Sequence, residues 1–272
     1  MKVVLFCGGQ GMRLRDYSHD MPKPMVPIGY RPILWHVMKY YASFGHKDFV
    51  LCLGYKADHI KDYFLNYNEA VSNDFVVTGG GRHIEMLNTD IHDWRITFVD
   101  TGFSSNIGER LKAVEKHVAG EEMFLANYSD NLTDFPLPRL IDLVQRRNAT
   151  AGFLAVRPSN SFHMVDLAGD GTVRSLHDLR QTEIRINGGN FVLRPEIFEQ
   201  MRQGEELVLE PFARLIERQQ VVAHPYDGFW MAMDTFKEKR ALDEMYERDQ
   251  APWEVWKQSA NEQAGPRGVV AV

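Results

Sequence analysis

Cysteine is scarce in this chain. Only Cys7 and Cys52 occur among 272 residues, each inside a short apolar run, so a disulfide framework is excluded and two buried, reduced thiols are expected. No apolar run approaches the roughly 20 residues needed to cross a bilayer. The first apolar run is too short for a secretory signal and ends at once in glycines. These features predict a cytoplasmic protein with no membrane partner.

An excess of positive charge is also missing. The chain has 31 basic and 37 acidic residues, which gives a net charge of -6 at pH 7. Neither nucleic acid nor an anionic membrane is therefore a predicted partner, and a small metabolite is favoured. Because 44% of the residues are hydrophobic, the chain can fill one large core. We predict a single domain over residues 1–256 and a flexible tail over 257–272.

Short apolar runs alternate with segments of helical periodicity in the first half, which indicates βαβ units and a mainly parallel sheet. The second half has shorter strands and turns, which indicates a mixed or antiparallel extension. The predicted fold class is α/β, with a Rossmann-like, mixed but mainly parallel sheet and helices on both faces. The predicted strands are 3–6, 49–53, 95–99, 123–126, 151–157, 163–167, 173–176 and 190–193, and the predicted helices are 33–44, 58–66, 108–117, 196–202, 209–219 and 237–248.

A glycine-rich segment follows the first predicted strand and reads Gly8-Gly9-Gln10-Gly11-Met12-Arg13. Glycines let backbone N–H groups approach a polyphosphate, and the carboxyl end of a strand is where open α/β sheets bind ligands. Arg13 and Lys23 are cations that can meet phosphate oxygens, and Lys23 is braced by a proline on each side. Glycines after a strand can also form a simple turn. The Walker and GxGxxG patterns are absent, which argues against a nicotinamide- or flavin-dependent oxidoreductase.

Several segments together resemble the bacterial sugar-1-phosphate nucleotidyltransferases, in particular the glucose-1-phosphate cytidylyltransferase branch. The likeness covers about residues 1–256 and implies the nucleotide-diphospho-sugar transferase (GT-A-like) fold. Residues 1–130 would then form the nucleotide-binding half and residues 131–256 the acceptor-binding half. Besides the glycine segment, the likeness rests on Pro22-Lys23-Pro24-Met25, Gly54-Tyr55-Lys56, Val99-Asp100-Thr101-Gly102, Gly108-Glu109-Arg110-Leu111-Lys112, Ile186-Asn187-Gly188-Gly189, Gly228-Phe229-Trp230, Met233-Asp234-Thr235 and Ala251-Pro252-Trp253.

The resemblance implies attack by a sugar-1-phosphate oxygen on the α-phosphorus of a nucleoside triphosphate, with CTP favoured and pyrophosphate leaving in line. Arg13 and Lys23 become the predicted catalytic residues, and Asp130 and Asp234 the predicted ligands of Mg²⁺, the implied cofactor. On sequence alone each aspartate reads as a solvated or capping residue. The resemblance also implies a homo-oligomer. The predicted nucleotide-binding residues are Gly8, Gly9, Gly11, Met12, Arg13, Lys23 and Arg110.

Three departures from the cytidylyltransferase pattern all concern the acceptor side. Asp178-Leu179-Arg180 stands where the family has Glu-Lys-Pro, whose lysine holds the sugar phosphate. Ser161-Phe162-His163 replaces an Arg-Phe-Gly turn, and Ser129-Asp130-Asn131 replaces Gly-Asp-Gly. These changes predict an altered acceptor, because specificity depends on pairing buried polar groups with the right ligand. The predicted acceptor-binding residues are Asn131, Phe162, His163, Asp178, Arg180 and Asn187, with Arg157 and Arg185 as further candidates for the lost phosphate contact.

Two alternatives stay open. The same chemistry could act on an unusual sugar, cyclitol or polyol phosphate, or the chain could be a catalytically silent, nucleotide-binding regulatory relative. Retention of Arg13, Lys23, Asp130 and Asp234 together argues against the silent relative, since a binding module does not need a second metal carboxylate. The stretch from Gly79 to Arg82 could lie near the nucleotide or form only a turn.

Overall fold

The computed structural model describes residues 1–9, 21–159 and 162–257. Its strands are β1 (Lys2–Phe6), β2 (Pro27–Ile28), β3 (Arg31–Pro32), β4 (Asp48–Leu53), β5 (Phe75–Thr78), β6 (His83–Met86), β7 (Arg95–Asp100), β8 (Phe124–Asn127), β9 (Asn131–Thr133), β10 (Ala151–Val156), β11 (His163–Leu167), β12 (Val173–Asp178), β13 (Ile186–Leu193), β14 (Val221–Tyr226) and β15 (Trp230–Ala232). Its α-helices are α1 (Ile33–Ser43), α2 (Ala57–Leu65), α3 (Ile107–Ala113), α4 (Glu115–Val118), α5 (Pro138–Arg147), α6 (Glu210–Glu217) and α7 (Phe236–Glu247).

The central sheet has the strand order β14-β10-β13-β8-β1-β4-β7. Strands β8, β1, β4 and β7 pair in parallel, whereas β13 runs antiparallel to both β8 and β10. The predicted α/β class with a mixed, mainly parallel sheet is confirmed. The apolar runs that predicted these strands are continuous because the sheet is covered on both faces.

Alternation along β1 shows how the two faces are filled. Val3 and Leu5 pack with α1 in one cluster of fully buried side chains, and Val4 and Phe6 pack with α3 in a second cluster. Successive side chains of a strand point to opposite faces, so both faces of the central strand are buried at once. Trp35 of helix α1 is also buried.

Two helix predictions were wrong in detail. The helix predicted over 108–117 is divided at Val114, whose amide bonds to the carbonyl of Leu111 three residues back and whose backbone leaves helical geometry. The helix predicted over 196–202 is a 3-10 helix over Pro195–Gln200.

The flexible tail predicted over residues 257–272 lies outside the described residues from position 258 onward.

Two hairpins stand apart from the central sheet. In β5–β6 the cross-strand pairs Phe75/Met86 and Val77/Ile84 share one face, and in β11–β12 the aliphatic pair Val165/Leu176 faces outward in the same way. Phe75, Val77 and Ile84 are exposed. The stretch from Gly79 to Arg82 is the turn of the first hairpin, and all three glycines have positive φ, at 60°, 66° and 91°. This geometry favours glycine and accounts for the stretch as a turn.

In the part of the chain that the structure describes, no helix combines the length and apolar character needed to cross a membrane.

Candidate active site

The candidate site lies where the carboxyl ends of the parallel strands meet. Gly8 and Gly9 follow β1, Thr101 and Gly102 follow β7, and Asp130 comes shortly after β8. Because β13 runs antiparallel to β8, its first residues, including Asn187, reach the same edge. The sheet topology therefore gathers residues that are distant in sequence, at the edge where α/β folds bind ligands.

Arg110 ties three strand ends together beneath this edge. Its buried guanidinium donates to the carbonyl oxygens of Gly8 at 3.0 Å, Leu53 at 3.2 Å and Gly102 at 2.9 Å. A Cβ on Gly8 would overlap the guanidinium, so this position needs glycine for packing. Arg110 also borders the site cavity, and it donates in addition to the Thr101 hydroxyl at 2.8 Å. Its predicted contact with the nucleotide stays a prediction.

Lys23 lies between the two predicted metal ligands. Its Nζ is 2.7 Å from Asp130 Oδ2 and 2.7 Å from Asp234 Oδ1. Lys23 begins a short 3-10 helix over Lys23–Met25, preceded by Pro22 in extended conformation. A proline flanks the lysine on each side, and its ammonium group points toward the carboxylates.

Local backbone features bring the two aspartates together. Asp130 follows Ser129, which is buried with φ of 66° and whose hydroxyl donates to the Phe6 carbonyl at 2.8 Å. Strands β9 and β15 then pair antiparallel, with Ala232 opposite Asn131, and the amide of Met233 donates to the Asp130 carbonyl at 2.9 Å. This ladder fixes Asp234 beside Asp130 although 104 positions separate them in the numbered sequence.

Burial and charge act on these groups in opposite ways. Burial is the largest single effect and lowers the pKa of Lys23, but the Asp130 and Asp234 carboxylates together outweigh it and the lysine pKa is raised. Burial raises the pKa of Asp130, and the nearby Asp234 carboxylate adds to the shift while Lys23 opposes it. The arrangement favours a positive charge between the carboxylates, because two adjacent carboxylates repel each other when nothing neutralises them.

A buried amide network supports Asp130 from below and was missed by the sequence analysis. Asn127 and Asn190 both donate to the Tyr41 hydroxyl, at 3.1 Å and 3.2 Å, and Asn131 donates to Asn127 Oδ1 at 3.1 Å. Burial raises the pKa of Tyr41 to about 12. Asn131 was a predicted acceptor residue, but Tyr41, Asn127 and Asn190 were not singled out, because only the folded topology shows that they meet.

A cavity of about 500 Å³ opens above the aspartates. Its wall combines both predicted metal ligands with residues from the nucleotide and acceptor halves. Tyr128, Trp230 and Glu206 belong to this wall and were not predicted site residues. The lining residues are Phe6, Gly9, Ser105, Asn106, Ile107, Arg110, Tyr128, Asp130, Asn131, Ile186, Asn187, Glu206, Trp230, Ala232 and Asp234.

The predicted acceptor residues divide into two groups. Asn131 and Asn187 line the cavity, and Asn187 Nδ2 donates to the Tyr128 hydroxyl at 3.1 Å. Phe162, His163, Asp178 and Arg180 are outside that lining. They cluster at the base of hairpin β11–β12, where His163 pairs with Asp178 across the ladder and the amide of Leu179 donates to the Phe162 carbonyl at 2.9 Å.

None of the arginines proposed to replace the family's phosphate lysine is unpaired in the structure. Arg180 forms an ion pair with Asp178. Arg157 and Arg185 both contact Asp227 Oδ1, at 2.8 Å and 3.0 Å. An acceptor phosphate would therefore compete with a carboxylate for any of these guanidinium groups. Gly11, Met12, Arg13 and Ser161, also singled out in the sequence, lie outside the described residues.

Comparison with known proteins decides the family. The nucleotidyl transferase family profile matches residues 2–238. The chain belongs to this family. It is 37% identical over 258 residues to the glucose-1-phosphate cytidylyltransferase of Salmonella typhimurium, covering 94% of this chain and 100% of that protein. The predicted resemblance and the predicted class of enzyme, a sugar-1-phosphate nucleotidyltransferase, are confirmed.

Relatives of lower sequence identity have names that refer to other substrates. The D-glycero-alpha-D-manno-heptose 1-phosphate guanylyltransferase of Campylobacter jejuni is 28% identical over 216 residues, covering 78% of this chain and 84% of that protein. The UTP-bound UGPase of Acinetobacter baumannii has a TM-score of 0.67 at 16% identity, covering 98% of this chain and 99% of that one. This structural likeness confirms the nucleotide-diphospho-sugar transferase fold of the family.

Proposed function

We propose that this nucleotidyltransferase joins CTP to a sugar 1-phosphate, with glucose 1-phosphate as the first candidate, and releases pyrophosphate. The observation that carries the proposal is the convergence of Lys23, Asp130 and Asp234 on the cavity edge, in a chain 37% identical to a cytidylyltransferase. An oxygen of the sugar phosphate attacks the α-phosphorus of CTP as the bond to the β-phosphate oxygen breaks. The nucleophile is already anionic, so the site has to align two anions and neutralise charge.

Asp130 and Asp234 fit the proposed Mg²⁺ cofactor. Each places one carboxylate oxygen 2.7 Å from the same ammonium nitrogen, so the pair can converge on one positive charge. Mg²⁺ is commonly held by one or two carboxylates together with substrate phosphate oxygens and waters. When bound, Mg²⁺ supplies positive charge to the phosphoryl group being transferred. Lys23 lies at the same place, so its ammonium is positioned to contact a phosphate that binds there.

The departures from the family pattern concern the acceptor side of the proposed reaction. The family's acceptor lysine is replaced, and Arg157, Arg180 and Arg185 are all paired with carboxylates. This observation favours the second candidate, the same reaction on a different sugar, cyclitol or polyol phosphate. A silent regulatory relative is disfavoured because both carboxylates and the lysine are kept in contact.

One experiment tests the reaction and the acceptor together. The protein is incubated with Mg²⁺, each nucleoside triphosphate in turn, and a panel of sugar, cyclitol and polyol phosphates, and pyrophosphate release is measured. We expect release with CTP and at least one hexose 1-phosphate. Asp130→Asn and Asp234→Asn should each abolish turnover while the melting temperature stays close to that of the parent. No release with any pair would refute the proposal, and near-normal rates in either variant would refute the carboxylate pair.

We also propose that the chain assembles with copies of itself. The cross-strand pairs Phe75/Met86 and Val77/Ile84 leave one apolar face of β5–β6 uncovered, and Val165 and Leu176 do the same on β11–β12. An isolated two-stranded hairpin is marginally stable in water, and exposed apolar patches commonly mark interfaces. A second copy offers matching aliphatic faces of the same size.

The predicted cytoplasmic location of the protein, and the predicted division at residue 130 into a nucleotide-binding and an acceptor-binding half, stay predictions.

A further inference from the structure

Glu206 is an acidic residue on the cavity wall that the proposed reaction does not use. The other charged lining residues are Arg110, Asp130 and Asp234, and each has partners of opposite charge or polarity already described. Within the described ranges, Glu206 has no cationic group within ion-pair distance. Its carboxylate therefore keeps its acceptor capacity for something that enters the cavity.

The hydrogen bonds of Glu206 leave room for a ligand. Oε1 accepts the backbone N–H of Leu207 at 3.1 Å, and Oε2 accepts that of Ile107 at 3.4 Å. A carboxylate has about four acceptor positions, so each oxygen can take at least one more donor. Burial raises the pKa of Glu206, because water reaches the carboxylate only in part. A ligand group that donates a hydrogen bond to Glu206 therefore takes the place of the water that burial keeps away from the carboxylate.

The charges of the substrates decide which part of a ligand can face Glu206. Phosphate groups carry negative charge and are drawn to Lys23, whereas a second carboxylate repels them. The part of the substrate that Glu206 meets must then be uncharged and rich in donors. Two neighbouring hydroxyl groups on a sugar ring meet that requirement, since each O–H can donate to one carboxylate oxygen.

We propose that Glu206 determines specificity by accepting hydrogen bonds from a vicinal diol of a bound sugar. Tyr128 and Asn187, which are hydrogen bonded to each other, line the same cavity together with Ser105 and Asn106. The diol can belong to the ribose of the nucleotide or to the acceptor sugar, because both present this chemistry. This inference rests on the proposed function. It adds which group of the substrate Glu206 contacts, which the proposed function alone does not specify.

The test pairs variants with substrates that lack single hydroxyl groups. Glu206→Gln keeps the size of the side chain and removes its charge. The matched control is Glu217→Gln, which alters an exposed glutamate at the end of α6. Rates are measured with CTP against its 2′-deoxy and 3′-deoxy analogues, and with the active sugar phosphate against its single-deoxy analogues. The melting temperature of each variant is recorded, because Glu206 also accepts two backbone amides.

We expect Glu206→Gln to lower kcat/KM for the complete substrates about 10- to 100-fold, which is the range for one or two hydrogen bonds to a charged acceptor. With an analogue that lacks one of the two contacted hydroxyls, the difference in kcat/KM between parent and variant should shrink, because only one hydrogen bond to the charged acceptor is left to lose. If the sensitive analogue is a nucleotide, the diol is the ribose; if it is a sugar phosphate, the diol is on the acceptor.

An equal loss with every analogue, or no loss with any substrate, would overturn the assignment. If the parent protein releases no pyrophosphate with any pair, the proposed function fails while this inference is still decided by calorimetry. Binding of CTP and glucose 1-phosphate, each with and without single hydroxyl groups, is then compared between parent and Glu206→Gln. The assignment is supported if Glu206→Gln binds one of the two complete ligands more weakly than the parent does, and if the parent binds the deoxy analogue of that ligand with a similarly weakened affinity. Identical affinities of parent and variant for both complete ligands overturn it.

Discussion

The indole nitrogen of Trp253 lies 3.3 Å from Nδ1 of His36, although 217 residues separate them in sequence. An indole N–H can only donate, so Nδ1 must carry a lone pair. The other ring nitrogen, Nε2, is 3.0 Å from the carbonyl oxygen of Ile28 and must carry the proton. The structure thus fixes one neutral tautomer of a buried histidine and joins the segment after α7 to helix α1.

Protonation of His36 should destabilise the fold. Burial lowers its pKa to about 4, so at intermediate pH the unfolded chain binds a proton that the folded chain does not. Stability from the neutral ring is complete above the ordinary pKa of about 6.5 and is lost as the pH falls toward 4. The linkage relation gives a loss of about 3 kcal/mol over that interval.

Urea unfolding between pH 8 and pH 4.5 checks this prediction. The difference in free energy of unfolding between the parent and His36→Gln should shrink as the pH falls through 6. His83→Gln, which alters an exposed histidine in β6, should leave the pH dependence of the parent unchanged. A difference that does not vary with pH would show that His36 does not titrate as described.

Neighbouring glycines after β1 should respond differently to alanine. A methyl group on Gly8 would overlap the buried guanidinium of Arg110, whereas Gly9 has no described neighbour within 4 Å of its added methyl. Gly8→Ala should lower the free energy of unfolding by about 1–3 kcal/mol, because a fixed, multiply bonded side chain has to move. Gly120→Ala, also without close neighbours, should stay within about 0.5 kcal/mol of the parent.

Gly9→Ala separates folding from binding. Gly9 lines the cavity, so the added methyl group occupies space that a ligand would use. We expect a normal unfolding curve and weaker binding of CTP, measured by calorimetry. Unchanged affinity would remove Gly9 from the nucleotide site.

The outer face of hairpin β5–β6 should control assembly. Ile84 is exposed on the apolar face, while Thr78 is on the opposite face beside His83. Ile84→Asp should lower the molar mass found by light scattering, because it places a charge on the aliphatic face of the proposed interface. Thr78→Asp should leave the mass unchanged. A parent protein that is already monomeric would refute the proposed assembly.

Local patterns were enough to predict most of the sheet. Continuous apolar runs such as those of β1 and β4 are typical of strands covered on both faces, and the glycines after β1 mark the ligand-binding edge. Hairpin β5–β6 was missed, although β5 carries the apolar run Phe75-Val76-Val77, because its strands have only four residues each. The break at Val114 was missed because it depends on backbone hydrogen bonding that side-chain periodicity does not report.

The site was harder to predict because its contacts cross long stretches of chain. Lys23 is 107 positions from Asp130 and 211 from Asp234. The β9–β15 ladder brings the two aspartates together, and the short 3-10 helix over Lys23–Met25 places the lysine beside them. Sequence reasoning assigned the lysine to phosphate and the aspartates to metal as separate groups. The family resemblance placed Arg110 at the nucleotide, but it gave no sign of the bonds from Arg110 to the Gly8 and Gly102 carbonyls, which depend on tertiary packing. No motif signalled Glu206.

The contact between Lys23 and the two aspartates predicts a competition between lysine and metal. Lys23→Met removes the ammonium and leaves two partly buried carboxylates facing each other, so the free energy of unfolding without divalent cations should fall by about 1–3 kcal/mol. Added Mg²⁺ should restore much of that loss, because it can neutralise both carboxylates.

The control is Lys47→Met, which removes an exposed lysine paired with Asp93. It should change the free energy of unfolding by less than about 1 kcal/mol and should not alter the response to Mg²⁺. The measurement is the melting temperature in EDTA and in a Mg²⁺ titration, and an equal Mg²⁺-induced shift in Lys23→Met and in the parent would show that lysine and metal do not share the position.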